Sequence, residues 1–254
     1  MHVAVVTPYY KESRAWVQRC LDSVRAQTRA CEHIVVADGH PQDWIDTAGV
    51  RHIRLDRAHG DYGNTPRSIG AQLALSEGYD AVAFLDADNW YEPDHLEACI
   101  TAAEASGADY VAARRNWVRE DGSRMPYESD EDRRGTHVDT NCFFLTFGAF
   151  HTLARWLMMP KPMAMLGDRF FLASLREDGL CGAKTSRPTV NYLCTWAHVF
   201  REIGEEPPAS AKDGLPTAKL RRWVGQLQNE DFRQIKRLAG CDLQALLDMR
   251  PSPG

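Results

Sequence analysis

Two aspartates one residue apart close a short apolar run, Ala83-Phe84-Leu85-Asp86-Ala87-Asp88. Paired carboxylates at that spacing suit a hard divalent cation, which takes oxygen ligands and leaves room for phosphate oxygens. The spacing alone is weak, because Asp130-Glu131-Asp132 repeats it inside a charge run with no strand before it. What sets Asp86 and Asp88 apart is the apolar strand that delivers both carboxylates to an exposed edge. Asp38 ends a second apolar run, His33 to Ala37, in the same way, just before Gly39. Ligands of open parallel sheets collect at the carboxyl ends of strands. Asp38, Asp86 and Asp88 are therefore expected to converge.

The elements that must place them alternate. Val3 to Val6, His33 to Ala37, Val50 to Leu55 and Ala81 to Leu85 read as buried strands. A helix capped by Ser13 carries Trp16, Cys20, Leu21 and Val24 as one apolar stripe. A second helix starts at Thr65-Pro66 and carries Ile69, Leu73 and Leu75; a third runs from Pro93 through Ala105 and stops at Gly107. Strands follow at Asp109 to Val118 and Asn141 to Thr146, then a helix from about Phe147 and a break at Pro160 to Pro162. Gly167-Asp168 opens a helix ending near Gly179, and two strands lie around Ala183 and at Val190 to Cys194. This order predicts an α/β fold, a mixed but mainly parallel sheet flanked by helices. Residues 1–204 form the main domain and 205–216, with Pro207, Pro208, Gly214 and Pro216, a linker. A helical extension occupies 217–254. The polar segment Glu120 to Arg134 reads as a solvated loop, or else as a lid. Residues 216–237 hold six basic and two acidic side chains around the stripe Leu220, Trp223, Val224 and Leu227. That helix packs back on the domain, meets a twin subunit in a homodimer, or lies on an anionic membrane surface.

Composition narrows the classes. The 254 residues carry a net charge of −5, with 44% apolar and 26% charged side chains. That is too apolar for a disordered chain and lacks the basic excess of a nucleic-acid binder. The most apolar stretch, Cys142 to Met159, is interrupted by His151 and Arg155, so no transmembrane segment is expected. Met1 to Val6 lacks the basic leader of a signal peptide. The seven cysteines are odd in number and never spaced as CxxC, which reads as free thiols in a reducing, cytoplasmic setting rather than a zinc site.

Taken in order, Val5-Val6-Thr7-Pro8-Tyr9-Tyr10, Val35-Val36-Ala37-Asp38-Gly39 and Ala83-Phe84-Leu85-Asp86-Ala87-Asp88, with Pro93 beyond, resemble glycosyltransferase family 2 over about residues 3–200. The resemblance implies a GT-A, Rossmann-like fold and a nucleotide-sugar donor. By position, Thr7, Pro8 and Tyr10 would line the nucleoside pocket, and Asp38 would accept a hydrogen bond from a ring N–H of the base. Arg67 would lie near the nucleotide, Asp86 near the ribose and the metal, and Asp88 on the metal itself. His198 resembles a late histidine that adds a metal ligand, the ion being Mn2+ or Mg2+. Asp168 resembles the base that takes the acceptor's proton. Departures are visible: Lys11 follows Tyr10 and Ser68 follows Arg67 where the family has Asn, and Gly167 replaces the first of an acidic pair. Read as plain structure, His198 is a packed histidine beside Trp196, Asp168 a helix N-cap, and Arg169 a helix residue instead of a diphosphate clamp. Trp90, Trp117, His137, Asp139, Asn141 and Met165 are candidate acceptor walls. Lys219-Leu220-Arg221-Arg222-Trp223 nearly matches the QxxRW of processive synthases, but Lys219 stands in place of Gln. The expectation is a metal-dependent, inverting, non-processive transferase, UDP favoured, acting on a carbohydrate or other hydroxyl acceptor. Two readings stay open beside it: an aspartate-nucleophile phosphatase, and a non-catalytic module that binds nucleotide or glycan.

Overall fold

The computed structural model describes residues 1–248, and residues 249–254 of the expected extension lie outside them. The described residues form one eight-stranded sheet from β1 (Val3–Tyr9), β2 (Cys31–Ala37), β3 (Arg51–Arg54), β4 (Ala81–Phe84), β5 (Trp90–Tyr91), β6 (Tyr110–Val118), β7 (Phe143–Thr146) and β8 (Gly182–Leu193). The strand order is β3-β2-β1-β4-β7-β6-β8-β5. The first four strands in that order are parallel, β7 is antiparallel to both β4 and β6, β8 is parallel to β6, and β5 is antiparallel to β8. The sheet is thus mixed and mostly parallel, as the alternation of elements predicts.

The helices are α1 (Arg14–Arg25), α2 (Asn64–Ser76), α3 (His95–Ser106), α4 (Asp130–Arg134), α5 (Arg155–Met158), α6 (Gly167–Glu177), α7 (Ala197–Glu202), α8 (Thr217–Val224), α9 (Asn229–Ala239) and α10 (Leu243–Asp248). All seven residues of β1 are buried, without alternation, because a central parallel strand is covered on both faces. Ser13 Oγ accepts from the Trp16 backbone N–H, and α1 buries Val17, Cys20, Leu21 and Val24; Trp16 itself is half-exposed. The apolar stripe expected on α2 is not its buried face. Leu73 and Ile69 are only partly covered, while Asn64, Arg67, Ser68, Gly70 and Ala71 are buried. The helix lies so close to the sheet that a Cβ at Gly70 would come within 2.6 Å of Val6 Cγ1 and 3.2 Å of Val36 Cγ2. Small and polar residues face inward because there is no room for larger ones, and because this face looks onto the site described below.

Two element expectations need correction. The two late strands are one, β8, which shifts register opposite Ala112 to Arg115. The helix from Phe147 is a 3-10 stretch, Phe147–Thr152, followed by the short α5. The segment 120–134 is mostly exposed, as a solvated loop is, but it is anchored to the domain. Met125 is buried, Tyr127 packs edge-on to Trp117 at 5.1 Å, and α4 is tied down by ion pairs. Residues 205–216 are stitched to the domain, Glu205 pairing with Arg119 and Lys212 exchanging backbone bonds with Thr195 (2.7 Å) and Ala197 (2.9 Å). Beyond them the chain packs back: Leu220, Ile235, Ala239, Cys241 and Leu243 join the same buried cluster as the strands. The seven cysteines are unpaired, five of them buried. No helix among the described residues is long and apolar enough to cross a membrane.

Candidate active site

The carboxyl ends of β1, β2 and β4 lie side by side, and chain continuity alone brings the acidic residues there. The Asp38 N–H bonds Tyr9 O at 2.7 Å and the Leu85 N–H bonds Val6 O at 3.1 Å, so both turns leave the sheet on either side of β1. Asp86 is fixed through both oxygens. Arg67 Nη2 donates to its Oδ1 at 2.6 Å, and Asn141 Nδ2 donates to its Oδ2 at 3.1 Å. Asn141 also accepts from the Asp86 N–H at 2.5 Å. Arg67 is buried, donates to Asn64 Oδ1 at 3.1 Å, and lies 5.0 Å from the Trp156 ring centroid.

Asp88 differs from its neighbour. Its Oδ1 is buried and has no hydrogen-bond partner. Burial pushes its carboxyl up to about 7, and the negative charges of Asp86, Glu12 and Asp139 add to the rise. A buried acceptor without a donor costs free energy. An oxygen-seeking cation would relieve it, so these residues fit one through Asp88 and Asp86. Among the described residues no three His, Cys, Asp or Glu side chains gather as a ligand group, and His198 does not join the pair. It is exposed on α7, whose inward face is given to Val199 and Phe200 against Trp117 and Met125. Its ring lies tilted beside Trp196, centroids 6.4 Å apart, as the plain reading of it expects.

Asp38 is 5% exposed and already occupied. The His59 backbone N–H lies 3.1 Å from both of its oxygens, and His59 Nδ1 is 2.6 Å from Oδ1. The Thr7 side chain turns into the core, its hydroxyl 2.8 Å from Nε2 of buried His33. Burial drives that imidazole down to about 3, so it is neutral. Thr7 is wholly buried, so neither its side chain nor its backbone is open to a ligand in this structure. Pro8 is buried against the Gly63 turn, while Tyr10 stays at the surface with its ring edge-on to His40 at 4.6 Å.

On the far side stands Asp168, in the first turn of α6. The N-cap is Leu166, so Asp168 does not cap the helix. Its Oδ2 lies 2.6 Å from His137 Nε2, and its Oδ1 accepts from the Arg169 N–H at 2.7 Å. Burial pushes the carboxyl up, but the His137 charge and hydrogen bond outweigh it and hold it below the usual range. Arg169 is not free to clamp a ligand: its two Nη atoms fork onto Glu131 at 2.8 and 2.6 Å. A polar chain runs from Asp86 as far as Asp132, whose Oδ1 is 3.9 Å from His137 Nδ1. Asn141 Nδ2 bonds Asp139 at 2.6 Å, Arg115 bonds Asp139 at 3.0 Å, and Arg115 forks onto Asp132 at 3.0 Å. The stretch 130–132 thus spends its acids on Arg133, Arg169 and Arg115, as its setting in a charge run suggested. A groove of about 1480 Å³ between α6 and the C-terminal helices borders this side, its lining including Glu131 and Arg169.

Sequence reasoning passed over Arg115, His59 and Glu12. None sits in a motif; each is found only by its contact. Asn141, His137 and Asp139 were expected as acceptor walls, but they face Asp86, Asp168 and Arg115.

Known proteins share this chain's sequence pattern and fold. Residues 4–176 match Glycosyl transferase family 2. The Escherichia coli K12 protein described as uncharacterized glycosyltransferase YibD is 26% identical over 153 residues, 58% of this chain and 43% of that one. The chain therefore spans less than half the length of this curated relative. Solved structures of S. aureus TarS share the fold: the complex with UDP at TM-score 0.58 and 14% identity, covering 80% of this chain and 63% of that one. The complex with UDP-GlcNAc gives TM-score 0.57 and 14% identity over 99% and 82%. The match over most of the chain settles its kinship: it belongs to glycosyl transferase family 2.

Proposed function

We propose that this chain transfers a sugar from a nucleoside diphosphate, uridine favoured, to a hydroxyl of a carbohydrate or other acceptor, with inversion and one sugar per encounter, and that it requires Mn2+ or Mg2+. The observation that carries the reading is the unpartnered, buried Asp88 Oδ1 beside an Asp86 locked by Arg67 and Asn141. Such cations commonly take one or two carboxylates and fill the remaining positions with water and phosphate oxygens. Two aspartates suffice. When bound, the ion supplies positive charge where the diphosphate departs.

The chain's own groups do the rest. Arg67, already on Asp86, adds a fixed cation beside the phosphates. Asp38 acts with His59. Its carboxylate, which His59 Nδ1 approaches at 2.6 Å, keeps acceptor capacity for a ring N–H of the base, and the uracil imide supplies one. Pro8 and Tyr10 wall the base, with Thr7 buried behind them. Asp168 takes the acceptor's proton late, once the hydroxyl oxygen has begun bonding to an oxocarbenium-like carbon, so a weak base is adequate. Base and leaving group act from opposite faces of the sugar, which inverts the anomeric centre. The fold of TarS, solved with UDP and with UDP-GlcNAc, supports a uridine donor.

Thermal melting with UDP or GDP, with and without manganese, tests this. UDP is expected to raise the melting temperature only when manganese is present, and Asp88→Ala to abolish the rise. Equal stabilisation in EDTA would overturn the metal assignment.

A further inference from the structure

The loop that follows α4 is held from several sides. Arg176 Nη2 donates to Gly135 O at 2.5 Å, Arg169 grips Glu131, and Arg115 grips Asp132 on one side and Asp139 on the other. Between these anchors sits His137, its side chain 11% exposed, with Nε2 2.6 Å from Asp168 Oδ2. Each Asp168 oxygen has one partner and keeps one lone-pair direction free for an acceptor hydroxyl. We propose that His137 is a positioning residue for sugar transfer: it fixes the Asp168 carboxylate toward the acceptor, and its charge sets how readily that carboxylate takes a proton. The inference rests on reading Asp168 as the base.

The groups facing His137 are Asp168 and Arg169 from α6, Glu131 and Asp132 from α4, Arg115 from β6, and Asp139 further along its own loop. Burial favours the neutral imidazole, yet the Asp168 charge prevails and raises its affinity for a proton. While His137 is protonated, its cation steadies the Asp168 anion and weakens it as a base. As the pH rises, the imidazole loses its charge but keeps its Nε2–H on Asp168, and the carboxylate grows more basic. In the transfer step the acceptor O–H bond breaks toward Asp168 while its oxygen bonds to the anomeric carbon. The bond from that carbon to the diphosphate breaks, its electron pair leaving with the phosphate. His137 gains and loses no atom.

Two measurements test it. The first is UDP release from UDP-glucose and UDP-GlcNAc with manganese, followed against pH in wild type, His137→Gln and Asp168→Asn. His137→Gln should keep the donor KM and the UDP melting shift, lose roughly 10- to 100-fold in kcat, and lose the rising limb in the histidine range. An inactive Asp168→Asn beside a His137→Gln with wild-type kcat and pH profile would overturn this inference alone. A wild-type rate in Asp168→Asn would overturn the base assignment itself. The second is the His137 ring titration by NMR, which needs no turnover. Its midpoint should fall in Asp168→Asn, because the Asp168 charge and hydrogen bond are what raise it. An unmoved midpoint would refute the pairing.

Discussion

Replacing Arg115 with Met removes one cation from between two carboxylates. The Arg115 side chain is 6% exposed, Asp139 11% and Asp132 18%, so water cannot take over its role. Breaking a buried ion pair from one side costs about 3–5 kcal/mol, because the remaining charge stays buried. For a chain of this size each kcal/mol moves the melting temperature by about 2–4 °C, so a fall of roughly 6–20 °C is expected. The loss should also depend on pH. Burial already pushes the Asp139 carboxyl up, and the Arg115 charge restrains it. Without Arg115 the folded-state carboxyl rises further above its unfolded value. A group raised in this way favours the fold at low pH and costs stability as the pH climbs toward its folded value. The deficit against wild type should therefore be smaller near pH 4 than at pH 7. Urea melts followed by tryptophan fluorescence at both pH values would measure it, and adding Asp139→Asn to Arg115→Met should recover part of the loss. A deficit below about 1 kcal/mol, or one equal at both pH values, would refute the claim that Arg115 neutralises buried charge.

Two further outcomes follow from local geometry. Asp88→Asn removes a buried charge that has no donor, so in metal-free buffer the variant should unfold about 1–3 kcal/mol later than wild type; no gain in a urea melt would mean Asp88 carries no such penalty. Gly70→Ala places a methyl 2.6 Å from Val6 Cγ1 and should destabilise by about 1–3 kcal/mol, read from the same melts, while a neutral result would mean α2 can move off the sheet.

Much of the site was legible because its first half is local. Apolar runs ending in Asp38 and in Asp86-Ala87-Asp88 place acids at strand ends, and a parallel sheet has one edge where such ends meet. The apolar stripe of α1 was readable for the same reason, since it repeats at helical spacing. The stripe expected on α2 failed because its buried face is made of small residues pressed on the sheet, Gly70, Ala71 and Ala74, and of polar ones turned to the site, Arg67 and Asn64, which are paid for by their bonds to Asp86 and to each other. His198 failed because helix α7 turns on two large apolar neighbours, and its direction depends on where Trp117 and Met125 lie.

From its residue order alone, this protein's fold class, the strand edge that carries its acids and its family resemblance could be derived, because periodicity and turn chemistry act over a few residues. Only the tertiary structure decided which charges meet. Arg115 finds Asp132 and Asp139 from 17 and 24 residues away, His137 finds Asp168 across 31, and His59 reaches Asp38 across 21. Such pairings form wherever packing brings ions together out of water, where each must find a partner. No spacing rule announces them.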